Sequence, residues 1–179
     1  VVGAGLVFVK GKNVEHYAGV GFADRDGKRA VDPDTIFHWA SCTKTFTAIA
    51  VMQLRDRGKL ALEQPIVDFV PELRTVRNRF GAMTDVTVRH LLTHSAGFSY
   101  EIWNTDMQKV QAALGIPSVT ECKNKALTLP LLFDPGERWE YGINIDWAGK
   151  MVEAVSGQKL GAYLKANLFD PLGMNSTAF

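Results

Sequence analysis

The chain has 179 residues, 46% of them hydrophobic, which is enough for one packed core of ordinary size. Its 20 Lys and Arg are matched by 19 Asp and Glu, so no net field directs it toward nucleic acid or an anionic membrane surface. No apolar run approaches the length of a membrane span. Two cysteines, Cys42 and Cys122, do not make a disulfide scaffold and are expected to be small buried apolar residues.

No signal peptide is visible, but the chain begins at Val1 without a Met, which leaves room for a lost leader. Residues 1–10 read as a strand, Gly11-Lys12-Asn13 as a turn and residues 14–22 as a second strand. A polar turn at 24–28 and an extended piece through Asp32-Pro33-Asp34-Thr35 lead to Phe37. From Phe46 the apolar residues recur at helical spacing through Ile49, Ala50 and Leu54, and Gly58 is a natural stop. Residues 58–73 read mostly as loop, punctuated by Pro65 and Pro71, and residues 74–84 as charged and exposed. A short helix is expected over 87–93 with Val88, Leu91 and Leu92 inward, closed by Ser95-Ala96-Gly97. Further helices are expected near 107–114, over 121–132, and over 145–155 and 160–168, the last two separated by Ser156-Gly157. Strands first and helices afterwards argue an α+β fold. A lone hairpin is marginal in water, so the strands at 1–22 call for partner strands that no later stretch clearly supplies.

Ser41 and Lys44 hold the chemistry that stands out. They are three residues apart at the start of a helix and therefore share a face. The helix N-terminus is electropositive, and its N–H groups can bind a developing oxyanion. A desolvated lysine one turn away can take a serine proton. The plain alternative is that Ser41 is only a helix cap; the same spacing occurs at Ser156-Gly157-Gln158-Lys159, which reads as a helix end and loop. Tyr141 follows the turn Pro135-Gly136-Glu137-Arg138-Trp139 and is either a packing residue or a base whose pKa a neighbouring ammonium lowers. His90 and His94 have the spacing of a metal pair, but Leu91 stands where a zinc-protease glutamate would be, so hydrogen-bonded turn histidines are expected. Gly97-Phe98-Ser99 begins like a nucleophile elbow but lacks the final Gly and a preceding strand.

Taken together, several stretches resemble the serine β-lactamase and penicillin-binding protein superfamily. They are Phe37-His38-Trp39-Ala40-Ser41-Cys42-Thr43-Lys44, Gly58-Lys59-Leu60-Ala61-Leu62, His90-Leu91-Leu92-Thr93-His94-Ser95-Ala96-Gly97, Pro135-Gly136-Glu137-Arg138-Trp139-Glu140-Tyr141 and Pro171-Leu172-Gly173-Met174. The match runs in order along nearly the whole chain and is nearest to class C β-lactamases, D-stereospecific peptidases and family VIII carboxylesterases. The resemblance implies an antiparallel sheet flanked by helices plus a mainly helical domain, divided here as residues 1–57, including the Ser41–Lys44 helix, and 58–179. It implies Ser41 as acylated nucleophile, Lys44 as its proton acceptor or electrostatic partner, Tyr141 as base or shuttle, the Ser41 N–H as half of an oxyanion hole, and Tyr100 facing substrate.

Two departures matter. Class C enzymes carry Tyr-x-Asn, whereas Ile143 holds the third position here and the first Asn is Asn144, the candidate for that substrate contact. The family's third motif, on a later strand, is not found before Phe179; Trp147-Ala148-Gly149 lies inside an expected helix. The chain is therefore expected to be truncated before the C-terminal strands, with a C-terminal companion segment or chain completing the sheet. The resulting expectation is a carboxylesterase of small or short-chain esters, without cofactor, metal, nucleic acid or membrane span. The alternatives are a β-lactamase or D-peptidase acting on an amide, or a non-catalytic ligand-binding relative. An esterase would be cytoplasmic, a β-lactamase periplasmic or secreted.

Overall fold

The computed structural model describes residues 2–78 and 80–178. Its first strand, β1 (Gly3–Lys10), pairs antiparallel with β2 (Asn13–Asp24) across the turn Gly11-Lys12. The β-branched and aromatic residues Val7, Phe8, Val9, Val14, Tyr17 and Val20 suit these strands. Phe8 pairs with His16 and Val9 with Val14, which leaves Glu15 as the extra residue of a bulge. The sheet has a third strand that the sequence did not reveal: β3 (Arg29–Ala30) pairs with the free side of β2, in the order β1-β2-β3. Two residues are too few to show alternation. The connection is set by Asp24, whose Oδ1 accepts from the N–H groups of Asp26 and Gly27, each at 3.1 Å, and folds the chain back. Leu6, Val7, Phe8 and Val9 of β1 stay exposed.

The chain divides into two compact units, Val1–Ala40 and Ser41–Phe179. A tight 3-10 turn at the boundary, Ala40–Cys42, feeds α1 (Thr43–Asp56). Helix α1 buries Thr47, Ala50, Val51 and Leu54, the stripe expected of an amphipathic helix. It ends as the sequence suggested: Gly58 takes a left-handed φ of 69°, its N–H donates to Arg55 O (2.8 Å), and the Lys59 N–H donates to Leu54 O (2.9 Å). Helix α2 (Val88–Leu92) and helix α3 (Thr105–Leu114) follow, the latter capped by Asn104, whose side chain accepts from the Met107 N–H at 3.0 Å.

Helix α4 (Asn144–Ser156) is central. It buries Ile145, Trp147, Ala148, Met151 and Val152 and packs on α1, α2 and α5 (Leu160–Leu164). Asp146, Lys150 and Glu153, spaced four and three residues apart, mark its less covered side, as expected of an amphipathic helix. Trp147 lies 6.4 Å from the Phe98 ring, and its Nε1–H donates to Leu127 O at 3.2 Å.

Several expectations are corrected. Residues 121–132 are not a helix: 3-10 turns at Val119–Glu121 and Asn124–Thr128 are separated by Cys122 in the left-handed region (φ 54°). Pro130 then holds Leu129 extended, with ψ at 138°. The helix over 160–168 gives way after Leu164 to a π turn, Lys165–Phe169. The loop at 58–73 contains 3-10 turns at Ile66–Asp68 and Pro71–Thr75. In the stretch 74–84, Val76 and Asn78 are buried; the Asn78 amide donates to Asp134 Oδ1 (3.0 Å) and its Oδ1 accepts from the N–H groups of Phe80 and Ala82. Both cysteines are exposed, because Cys42 sits in a tight turn with no buried side chain and Cys122 at a left-handed turn end.

Trp147→Ala is expected to cost about 3–5 kcal/mol, the range for deleting a buried aromatic. Leu172→Ala, at a residue 64% exposed, is expected to change stability by no more than about 0.5 kcal/mol. Urea unfolding measures both; similar losses at the two positions would show that α4 is not the centre of the core.

Candidate active site

The site begins with two loops locked together along their backbones. Helix α2 ends in a Schellman motif, with the His94 N–H donating to Leu91 O (3.2 Å) and the Ser95 N–H to His90 O (2.9 Å). The chain runs on through Ser95-Ala96-Gly97 to Tyr100, and the loop leading to Tyr141 lies alongside. The N–H groups of Leu132, Gly136 and Glu140 donate to the carbonyls of Gly97, Ser95 and His94 at 2.9, 2.8 and 2.8 Å. The Ser99 hydroxyl donates to Glu140 Oε1 at 2.8 Å. Two glycines allow this approach. A Cβ on Gly97 (φ 100°) would stand 2.3 Å from Phe133 O, and one on Gly142 would stand 2.5 Å from Ser99 Cα. Tyr141, one residue before that second close approach, is thereby held in place.

The Ser41 turn and the first turn of α1 bring up the other two groups. Lys44 Nζ donates to Ser41 Oγ at 3.3 Å and lies 5.0 Å from the centre of the Tyr141 ring and 5.7 Å from that of Tyr100. Ser41 is exposed, and Lys44 and Tyr141 are half-buried. Around the Tyr141 ring stand His94 at 4.7 Å, Tyr100 at 5.6 Å, Trp103 at 5.8 Å and Trp139 at 6.3 Å between ring centres. Sequence reasoning did not single out Trp103; its only signal is an apolar aromatic three residues past Tyr100 in a polar stretch.

These neighbours set the charge states. Burial pushes the Tyr141 phenol up, but hydrogen bonding to Lys44 and Ser41, together with the Lys44 charge, outweighs it and holds the group below its ordinary 10.0. Burial pushes Lys44 down, but its interactions with Tyr141 and Tyr100 prevail and keep the ammonium above its ordinary 10.5. The two shifts are reciprocal and describe an ammonium beside an acidified phenol. Burial, then the charge of Asp146, raises the Tyr100 phenol against the pull of Lys44. Burial and, after it, the Lys44 charge bring His94 from 6.5 to about 4, so its imidazole is neutral at pH 7.

The remaining candidates lie elsewhere. Asn144 has no exposed surface: its Nδ2 donates to His94 Nδ1 (3.0 Å) and more weakly to Glu140 O (3.4 Å), which places it beneath the tyrosine loop instead of on a surface open to substrate. His90 caps its own helix: its Nδ1 accepts from the Thr87 N–H, while the Thr87 hydroxyl accepts from the His90 N–H. Among the described residues no group of three or more His, Cys, Asp or Glu is placed to hold a metal. Ser156 terminates α4, its Oγ accepting from the Gln158 N–H at 3.2 Å. Trp147-Ala148-Gly149 is buried inside α4.

Known proteins share this arrangement of chain. Esterase EstB of Burkholderia gladioli is 35% identical over 188 aligned positions, which cover 100% of this chain and 47% of that protein. Monacolin J acid methylbutanoyltransferase of Aspergillus terreus is 34% identical over 161 positions, covering 82% of this chain and 38% of that one. The solved structure of EstCE1, described as a hydrolase with promiscuous acyltransferase activity, superposes with a TM-score of 0.85 at 28% identity and covers 97% of this chain and 47% of its own. The chain thus spans about half, or less, of the length of these relatives. The family model for Beta-lactamase matches residues 1–179, and the chain accordingly belongs to the Beta-lactamase family, with the antiparallel sheet and helices of the β-lactamase/transpeptidase-like fold.

Proposed function

We propose that this chain carries the nucleophile and the base of a serine hydrolase, specifically a carboxylesterase of small or short-chain esters. The observation that carries the reading is the 3.3 Å contact from Lys44 Nζ to Ser41 Oγ beside a phenol that Lys44 itself acidifies. An ammonium that donates to Ser41 Oγ leaves the serine hydroxyl proton free to go to Tyr141. Tyr141 as phenolate takes that proton, and Oγ bonds to the ester carbonyl carbon. The charge that builds on the carbonyl oxygen is met by the Ser41 N–H at the start of the α1 segment, the role the family resemblance implies. Tyr141 returns the proton to the departing alkoxide as the C–O bond breaks, and an acyl group stays on Ser41. Water repeats the sequence and releases the acid. Lys44 keeps its proton throughout, so the neutral lysine considered from spacing alone is not needed; the two groups titrate as a pair.

A second reading is acyl transfer, in which an alcohol replaces water in the last step. The transferase among the relatives and the description of EstCE1 favour it. A β-lactamase or D-peptidase is less well supported, since Ile143 is wholly buried at the third position of the tyrosine motif and Asn144 is engaged with His94. A binding module would have no use for an acidified Tyr141 beside a serine.

A fluorophosphonate probe is expected to label Ser41, and Ser41→Ala to lose the label while folding is kept; intact-mass labelling of the Ala variant would move the nucleophile elsewhere. Cys42→Ser is expected to label normally, because in the 3-10 turn that holds both residues successive side chains point about 120° apart. Turnover of p-nitrophenyl acetate without turnover of nitrocefin separates esterase from lactamase.

Lys44→Ala and Tyr141→Phe are each expected to slow acylation roughly a hundredfold or more, with effects that do not multiply in the double variant. The pH profile follows from the signs. Acylation needs the Tyr141 phenolate, so kcat/KM rises with pH through a midpoint below 10.0 and does not fall until Lys44 deprotonates above 10.5. Tyr141→Phe is expected to erase the rising limb; a limb that persists would assign the base to another group.

A further inference from the structure

His94 occupies a position that its backbone does not favour. It is the residue just past the C-cap of the α2 Schellman motif, with φ at 54°, a place where glycine is usual. Asn, Asp and His are the side chains best tolerated there, but at some cost relative to glycine. The side chain kept at that cost is half-buried beside the Tyr141 ring, 4.7 Å between ring centres and tilted by 46°, with Trp139 at 6.4 Å.

The polar partner of the ring follows from the second contact of the Asn144 amide. Asn144 Nδ2 lies 3.0 Å from His94 Nδ1 and 3.4 Å from Glu140 O. A carbonyl oxygen only accepts, so that end of the amide is its NH2 group, and Nδ1 of His94 must accept as well. The imidazole proton therefore sits on Nε2. Asn144 gives up something for this contact: its Oδ1 is buried with no hydrogen-bond partner among the described residues. The titratable groups around His94 are Lys44 from α1 and Tyr141 from the loop before α4. Helix α4 presents the neutral Asn144 amide to the ring and carries the Asp146 carboxylate, whose charge acts on Lys44, Tyr100 and Tyr141, and the Glu140 carboxylate is engaged by the Ser99 hydroxyl.

We propose that His94, fixed as the Nε2–H tautomer by Asn144, is a positioning residue for Tyr141. The amide orients the imidazole, the imidazole sets the tilt of the phenol, and the phenol is thereby kept within reach of both Ser41 and Lys44. A protonated His94 would lose its Nδ1 acceptor role and place a second cation beside Lys44, so the same contact keeps the site to one positive charge. Asn144, one residue past the third position of the tyrosine motif, here works through the protein. This inference rests on the reading of Ser41, Lys44 and Tyr141 given above.

The test has two readouts that need no substrate. In the 15N-labelled protein, His94 is expected to show an unprotonated Nδ1 and a protonated Nε2 at pH 7; the opposite tautomer in the unmutated protein would overturn the proposal. Asn144→Leu is expected to mix the two tautomers. In that variant the Tyr141 titration, followed with 13Cζ-labelled tyrosine, is expected to move up toward 10.0, because the hydrogen bonding that lowers it is loosened. His94→Asn, which suits the left-handed backbone and so protects the fold, is expected to move Tyr141 the same way. Both variants are expected to label with the fluorophosphonate about tenfold more slowly, the scale on which misplacing a reacting group is felt, with little change in Tm. If Tyr141 titrates as in the unmutated protein in His94→Asn, the positioning role is lost. If the unmutated protein fails to label although its tautomer and Tyr141 shifts are as stated, the hydrolase reading fails and the His94 assignment stands.

Discussion

The Lys44 ammonium, 3.3 Å from Ser41 Oγ and 5.0 Å from the centre of the Tyr141 ring, is the charge on which the rest of the site depends. Half-buried, it is not fully screened by solvent, and its field reaches every titratable neighbour. It draws Tyr141 down, opposes the rise of Tyr100 and deepens the fall of His94. A cation in this place is tolerated because phenol oxygens and ring faces take over part of the hydration it loses. The return is a phenol closer to the pH range in which it can act as a base.

That charge would be useless without fixed distances, and these come from backbone rather than side-chain contacts. The turn after α2 and the loop before α4 are paired by N–H to carbonyl bonds at 2.8–2.9 Å. Gly97 and Gly142 let main chain meet main chain where any Cβ would collide. Side chains hop between rotamers, whereas two bonded backbones in contact do not, so Tyr141 and His94 inherit the rigidity of the pair. Helix α4 continues this loop directly and is packed on α1, the helix that carries Lys44. The nucleophile side and the tyrosine side of the site are thus joined through the same core, centred on Trp147, Met151 and Val152.

The local features were legible in the sequence because they are settled within a few residues. The Ser41–Lys44 spacing, the apolar stripe of α1, the Gly58 stop, the hairpin at Gly11-Lys12 and the helix near 107–114 each follow from periodicity and turn chemistry. So does the order of motifs that marks the family. What failed locally failed for a stated reason: residues 121–132 have helical composition, but the left-handed Cys122 and the extended Leu129 before Pro130 interrupt them. Strand β3 is too short to carry a pattern.

The sequence by itself determined which residues are available to react and which short elements bear them. Only the tertiary structure decided which of them meet. Tyr141 reaches Lys44 because α4 packs on α1, and Tyr100, Trp103, Trp139 and His94 close around it because two distant loops pair. Asn144, exposed or buried on equal terms by its composition, was placed beneath the site by its position at the first turn of the most buried helix. Cys42, apolar enough for a core, was left outside because a tight turn has no inside. Periodicity encodes the contacts a residue makes along its own element; charge state, burial and partner depend on contacts across the fold, and those are set by how the elements pack.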